Sequence, residues 1–251
     1  TEFGVPADIA GSTVNLGCVY QEKGDQPAAL EYFHRARVLY EELGDTRGLA
    51  VLSCNIATVH FDTCAYAEAL EGFQHALDVH QNLGDVRSQA LIHSNIGNVH
   101  LAMEDFLAAL EHYRHAKTTC EDLGDRVGVS MAIGDIGAVH HRLGDSAAAL
   151  AAYRQARGLH RKLGMKEHAL RAACDVCLIL LGMGQIDEVR ATLEQIADEE
   201  VHSVGVRVDR GLIGARILEH DGDAREARDA GLLALAEAER ETSLVCIADA
   251  H

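Results

Sequence analysis

The clearest pattern in this sequence is Ser94-Asn95-Ile96-Gly97-Asn98-Val99-His100, which is followed by Ala109-Leu110 and Tyr113 and closed by Leu123-Gly124-Asp125. It recurs 40 residues earlier, beginning Cys54-Asn55-Ile56, and 40 residues later, beginning Gly134-Asp135-Ile136. A first copy begins at Val14-Asn15-Leu16. A fixed period of this length is the signature of a stacked repeat array. We therefore predict repeats that contact only their neighbours, without one central core.

Each repeat is predicted to fold as two helices, because apolar residues follow a helical spacing on both sides of a short break. In the second copy the break falls at Asp62 to Ala65. Gly84 can take the left-handed conformation that ends a helix, and Asp85 can cap the next one. The predicted domain is a single array over residues 1–251, with repeats near 7–44, 45–84, 85–124, 125–164, 165–201 and 202–240 and a tail or partial helix at 241–251.

Small residues recur on the first helix of each repeat, where the second helix must come close. They are Gly17, Ala57, Gly97 and Gly137, and each precedes an aromatic residue of the second helix by 16 positions. The aromatic side chain is predicted to fill the space beside the contact. A leucine at Gly97 should overpack this contact, at a cost of about 1–3 kcal/mol.

Composition narrows the possible partners. The formal net charge of −17 argues against nucleic acid and anionic membrane surfaces as partners, because both need clustered basic residues on the protein, and it permits a partner with basic residues.

The 7 cysteines are an odd number scattered through periodic segments, so we expect thiols in a reducing, cytoplasmic compartment. No signal peptide or membrane-spanning run is visible. Because the chain begins at Thr1 and its first repeat has no cap, we expect a fragment of a longer protein.

Leu16-Gly17 and Tyr20, followed by Ala29 and Phe33, resemble the tetratricopeptide pattern L-G-x-x-Y…A-x-x-x-F. The period of 40 exceeds the usual 34, and the terminal proline of that pattern is absent. The longer repeat is similar to those of Pins-type scaffolds and of bacterial regulators with tetratricopeptide arrays. This resemblance implies an all-α fold, a right-handed α-solenoid of about six stacked antiparallel helix pairs, whose first helices line a concave peptide-binding groove.

The resemblance also implies which residues face that groove. An amide there would hold the backbone of a bound peptide, because it offers a donor and an acceptor together, or else it caps or bridges neighbouring helices. Asp135 and Asp175 would favour a basic residue on the partner, or else they are solvated acids near Arg142 and Arg171. The predicted groove residues are Asn15, Asn55, Asn95, Asn98, Asp135, Asp175, Val51, Leu91, Met131, Phe61, Leu101, His141, Arg142 and Arg171.

Two other patterns point to packing. His60, His100 and His140 recur in register, but packed helices lie about 8–10 Å apart, too far for one zinc ion with nitrogens at about 2 Å. Cys174 and Cys177 have metal or redox spacing but fall inside an apolar helix without a second pair, so we expect core thiols. No nucleophile motif or phosphate loop is found. The sequence therefore predicts no enzyme, no metal and no cofactor.

Three functions remain open. The first is a non-catalytic module that binds an extended or helical peptide in its groove. The second is a sensory or regulatory arm of a larger bacterial signalling protein, which binds its own chain or a small effector. The third is a self-assembling scaffold, a homo-oligomer formed through the uncapped first repeat or through the divergent sixth repeat.

Overall fold

The computed structural model describes residues 4–197, 199, 201, 203–234 and 236. Helices occupy most of these residues, and no strand is found among them. The chain divides into two compact units, Thr1–Asp125 and Arg126–His251. The predicted all-α fold of stacked antiparallel helix pairs is confirmed, whereas the single array over residues 1–251 stays a prediction.

Unit 1 contains three helix pairs. Within it, consecutive helices pack on each other along the chain. The helices are α1 (Gly4–Glu22), α2 (Gln26–Leu43), α3 (Thr46–Asp62), α4 (Tyr66–Asn82), α5 (Val86–Ala102) and α6 (Phe106–Asp122).

Unit 2 contains the remaining helices, and α9 contacts α8, α10 and α11. Its buried core includes Leu170, Ile179 and Ile213. The helices are α7 (Arg126–Arg142), α8 (Ser146–Lys162), α9 (Lys166–Gly182), α10 (Ile186–Glu194), α11 (Val204–His220) and α12 (224–234). The predicted tail or partial helix at 241–251 lies outside the described residues.

The helix boundaries have the predicted local causes. Gly84 has a φ of 65°, in the left-handed region that a side chain would strain. The Asp85 carboxylate then accepts a hydrogen bond from the Ser88 amide at 3.2 Å, so it caps α5. Asp45 caps α3 through the Gly48 amide in the same way.

The predicted close contact between paired helices is also present. A Cβ atom added to Gly97 would lie 2.7 Å from a ring carbon of Tyr113, a fully buried side chain. At Gly17 the corresponding distance to Phe33 is 2.4 Å. The second repeat carries Ala57 instead, and there the facing residue of the second helix is Gly72. A side chain is thus missing on one helix or the other at each of these contacts.

Candidate functional site

One stripe of residues on the first helices of unit 1 faces outward. On α3 it contains Val51 and Asn55, and on α5 it contains Leu91, Asn95 and Asn98. Spacings of four and three residues place such side chains on one side of a helix. Val51 is 45% exposed and Leu91 is 66% exposed, while Asn55 and Asn95 are half-buried beside them. The stripe therefore alternates apolar and amide side chains.

The amides of this stripe differ in their availability. In the part of the chain that the structure describes, neither Asn55 nor Asn95 has a side-chain hydrogen bond within the protein. Asn98 is exposed, but its Oδ1 accepts a hydrogen bond from the Tyr113 hydroxyl at 2.7 Å. The Asn98 oxygen thus holds the ring that packs on Gly97, and its amide nitrogen is left for another partner.

The other predicted residues of unit 1 lie around this stripe. Asn15 is exposed on α1. Leu101 is half-buried near the end of α5. Phe61 packs against the core of unit 1, with its ring centroid 6.1 Å from that of Tyr66. Phe61 therefore has a packing role in the structure.

In unit 2 the corresponding stripe carries charge. Met131 is 39% exposed on α7, and Asp135 is half-buried one turn later. On α9, the Arg171 guanidinium lies 3.1 Å from the Asp209 carboxylate, and Asp175 is half-buried one turn later. His141 and Arg142 are exposed at the end of α7.

The two acids of unit 2 are perturbed by burial. Burial raises the pKa of Asp135 from its ordinary value of 3.8 to about 6. Burial also raises the pKa of Asp175 to about 6, although the nearby Arg171 partly offsets the effect. Both acids are half-buried, so neither is fully solvated. Tyr153 and His160 of α8 line the same cavity as both acids, and sequence analysis missed them.

The histidines recurring at the ends of first helices lie in half-buried positions. His100 Nδ1 is 3.5 Å from the Asp105 carboxylate, and His140 Nδ1 is 3.7 Å from the Asp145 carboxylate. Each carboxylate belongs to the residue that caps the following helix. These side chains thus join the end of one helix to the start of the next.

A separate histidine cluster between α5 and α6 is found only in the structure. His93 Nδ1 lies 3.0 Å from His112 Nδ1, and the His93 ring stacks on His115 with centroids 4.0 Å apart. Burial, His115 and His112 together lower the pKa of His93 to about 4. The His93 ring is therefore neutral at pH 7.

No reactive centre stands out among the described residues. Burial raises the pKa of the Cys174 thiol to about 12 and that of Cys177 to about 11, and both side chains are fully buried in the core. Over the described residues, no group of three or more histidine, cysteine or acidic side chains could hold a metal ion. The same part of the chain contains no helix with the length and apolar character needed to span a bilayer.

Paired helices with close glycine–aromatic contacts and an exposed first-helix stripe define a helical-repeat interaction module. The family model described as tetratricopeptide repeat matches residues 8–82, 48–122 and 88–162. The chain therefore belongs to the tetratricopeptide repeat family, as its resemblance predicts, and this family serves protein interaction. A search of curated proteins finds no significant match.

Solved structures share the fold at low sequence identity. The apo form of RapI superposes with a TM-score of 0.70 at 16% identity, over 94% of this chain and 85% of RapI. A signal transduction ATPase with a tetratricopeptide repeat sensor, from Pyrococcus horikoshii, gives a TM-score of 0.73 at 13% identity, over 94% of this chain and 37% of the ATPase. A Rap protein complexed with competence and sporulation factor gives a TM-score of 0.69 at 18% identity, over 92% of this chain and 69% of the Rap protein.

Proposed function

We propose that this chain is a non-catalytic interaction module that binds an extended or short helical peptide along the first-helix stripe of unit 1. The observation that carries the proposal is the pair of half-buried amides, Asn55 and Asn95, beside the exposed Val51 and Leu91. Neither amide is used by the described part of the protein. An amide matches a peptide unit because it can donate and accept at once.

The repeat spacing suits an extended partner. Packed helices lie about 8–10 Å apart, and an extended chain rises about 3.3 Å per residue. First helices of neighbouring repeats at that spacing would bring one amide beside about every third residue of the peptide. The intervening side chains of the peptide would contact Val51 and Leu91, which supply apolar surface without a strict shape requirement.

Three further features belong to the proposal. The partner carries basic residues, since the net charge is −17 and Asp135 and Asp175 line a cavity in unit 2. The protein is cytoplasmic, because the described cysteines are all free and most are at least partly buried. It acts by binding and not by catalysis, and the buried Cys174 and Cys177 keep their protons and offer no thiolate nucleophile.

The test is selection of peptides from a random library on the immobilised full chain. Selected peptides are then titrated by fluorescence anisotropy into the wild type and the double variant Asn55→Ala, Asn95→Ala. Loss of about 2 kcal/mol of hydrogen bonding should weaken binding roughly thirtyfold. Asn82→Ala, which removes an exposed amide at the end of α4, is the matched control.

The outcomes of that titration are distinct. Circular dichroism of the double variant should be unchanged, since the amides make no hydrogen bond in the described protein. Equal affinity of the wild type and the double variant would overturn the assignment of the stripe. A library that yields no binder would overturn peptide binding itself.

A second candidate is a sensory or regulatory arm of a larger signalling protein. The similarity to an ATPase whose tetratricopeptide repeats are named a sensor favours it. The sequence that precedes Thr1 in the gene tests this regulatory role. A nucleotide-binding or DNA-binding segment there would support the role, and the absence of such a segment would remove this candidate.

Self-association through the first repeat is a third candidate. Ile9 is 51% exposed and Leu16 is 47% exposed on α1, and Val38 is 53% exposed on α2. Burying such apolar surface would favour a dimer. Sedimentation of the chain at several concentrations tests this candidate, because a chain that stays monomeric excludes self-association.

A further inference from the structure

A cavity of about 200 Å³ lies within unit 2, among α7, α8 and α9. Met131, Ala138 and Ala156 supply part of its apolar wall. Its polar groups include the carboxylates of Asp135 and Asp175. A cavity of this size and mixed character suits one long side chain with an apolar stem and a polar end.

The hydroxyl of Tyr153 lacks the partner that the preceding repeat supplies. There, Tyr113 donates to Asn98 at 2.7 Å. In this repeat Ala138 stands 40 residues after Asn98, so the amide is missing and its volume is part of the cavity. Tyr153 is only 8% exposed and has no hydrogen bond among the described residues. Burial, together with the nearby Asp175 and Asp135, raises the pKa of Tyr153 and keeps it protonated.

The imidazole of His160 lacks, through a second and independent change, the carboxylate that lies near its counterpart two repeats earlier. There, His80 Nδ1 lies 3.4 Å from the Asp85 carboxylate, within ion-pair distance, although no hydrogen bond joins them. Met165 occupies the position that Asp85 has in its own repeat. His160 lines the cavity and is 5% exposed, and neither ring nitrogen has a hydrogen-bond partner in the described chain. Burial and the nearby His168 lower its pKa, so the ring is neutral.

The carboxylates are equally unpaired. No cation lies within ion-pair distance of Asp135 or Asp175 among the described residues, and Arg171 at the rim is engaged by Asp209 at 3.1 Å. Two carboxylates and a neutral imidazole provide a surplus of acceptors. A ligand that satisfies them must bring several N–H donors and a positive charge.

We propose that this cavity binds the ammonium or guanidinium end of one lysine or arginine side chain of a partner peptide. The assignment deepens the proposed function and rests on it for the identity of the ligand as a peptide. Asp135 and Asp175 accept charge-assisted hydrogen bonds from the basic group. Met131 and Ala138 contact its aliphatic stem.

Binding should depend on pH. The titratable groups that face the cavity are Asp135 from α7, Tyr153 and His160 from α8, and His168, Arg171 and Asp175 from α9, with Asp209 of α11 behind Arg171. Each acid with a pKa of about 6 is mostly ionised at pH 7 and mostly protonated at pH 5. Affinity should therefore fall at least about tenfold between pH 7 and pH 5, because each acid loses about nine-tenths of its charge.

The test uses the full chain and the pentapeptides acetyl-Ala-Ala-Lys-Ala-Ala-amide and its arginine and norleucine counterparts. Nitrogen–proton NMR titration should show saturable shifts at the amides of Gly134, Ala138 and Ala172 with the two basic peptides. The norleucine peptide should bind at least tenfold more weakly. The double variant Asp135→Asn, Asp175→Asn should lose at least tenfold in affinity. Asp229→Asn, which removes an exposed charge on α12, should bind as the wild type does.

Three results would overturn the assignment. They are no shift at the cavity, equal affinity for the norleucine peptide, and binding of n-butylammonium as tight as the lysine peptide, which would mark a site for free amines. Failure of the proposed function looks different, because it appears as a library without binders or as binders indifferent to Asn55 and Asn95.

Discussion

Replacing Asp135 by asparagine should stabilise the protein at neutral pH. The half-buried carboxylate has no ion-pair partner among the described residues, and burial raises its pKa from 3.8 to about 6. At about 1.4 kcal/mol per pH unit, this difference corresponds to roughly 3 kcal/mol of stability lost above pH 7. The asparagine side chain carries no charge and would avoid most of that loss. The proposed binding role of Asp135 would explain such a cost, because function can conflict with stability.

The sign of the pH dependence is fixed by the direction of the shift. Because the folded-state pKa of Asp135 is raised, the folded protein holds the proton more tightly than the unfolded chain. Its stabilising effect is fully present below about pH 4 and is lost as the pH rises through about 6. The gain from Asp135→Asn should therefore be large at pH 7.5 and vanish near pH 4.

Urea unfolding at several pH values measures this gain. Because repeat arrays can unfold in parts, hydrogen exchange of α7 and α8 peptides should accompany circular dichroism. Asp229→Asn is the control, and its effect should be small. A variant that is less stable than the wild type at pH 7.5, or a gain that does not change with pH, would show that Asp135 already has a favourable partner and would refute the reasoning.

Two further predictions concern packing and thiol reactivity. Gly97→Ala places a methyl group 2.7 Å from the Tyr113 ring and should lower the free energy of unfolding in urea by about 1–3 kcal/mol. Gly158→Ala, which has open space around it on α8, should raise that free energy by about 0.5–1 kcal/mol. Similar effects of the two substitutions would contradict the close packing at Gly97. Iodoacetamide should modify the exposed Cys64 in the folded protein long before the buried Cys174, and peptide mass mapping measures both rates of modification. Equal rates of modification at the two thiols would contradict the burial of Cys174.

The repeat, the helix boundaries and the small-to-aromatic contacts could be predicted from the sequence because each depends on local chemistry. Gly84 and Asp85 end one helix and begin the next through backbone geometry and one short hydrogen bond. Gly97 recurs opposite Tyr113 because the paired helices approach too closely there for a methyl group. Such causes lie within a few residues of one another or repeat at a fixed period.

The cavity of unit 2 could not be read in the same way. Ala138 and Met165 look like ordinary variation between repeats until the structure shows that they leave Tyr153 without an amide partner and His160 without a nearby carboxylate. The histidine cluster of unit 1 depends on how α5 packs on α6, which brings His93 beside His112 across 19 residues of chain. Comparison of each repeat with its neighbour, position by position, is the signal that could have found the cavity.

The proposed function requires that Asn55 and Asn95 lie on the surface that holds a peptide. Nitrogen–proton NMR of the full chain with a library-selected peptide tests it most directly, because every backbone amide reports its own surroundings. We expect the largest shifts in unit 1 at the amides of Val51, Asn55, Leu91 and Asn95. Shifts confined to the outer faces of α4 and α6, with these four signals unmoved, would contradict it.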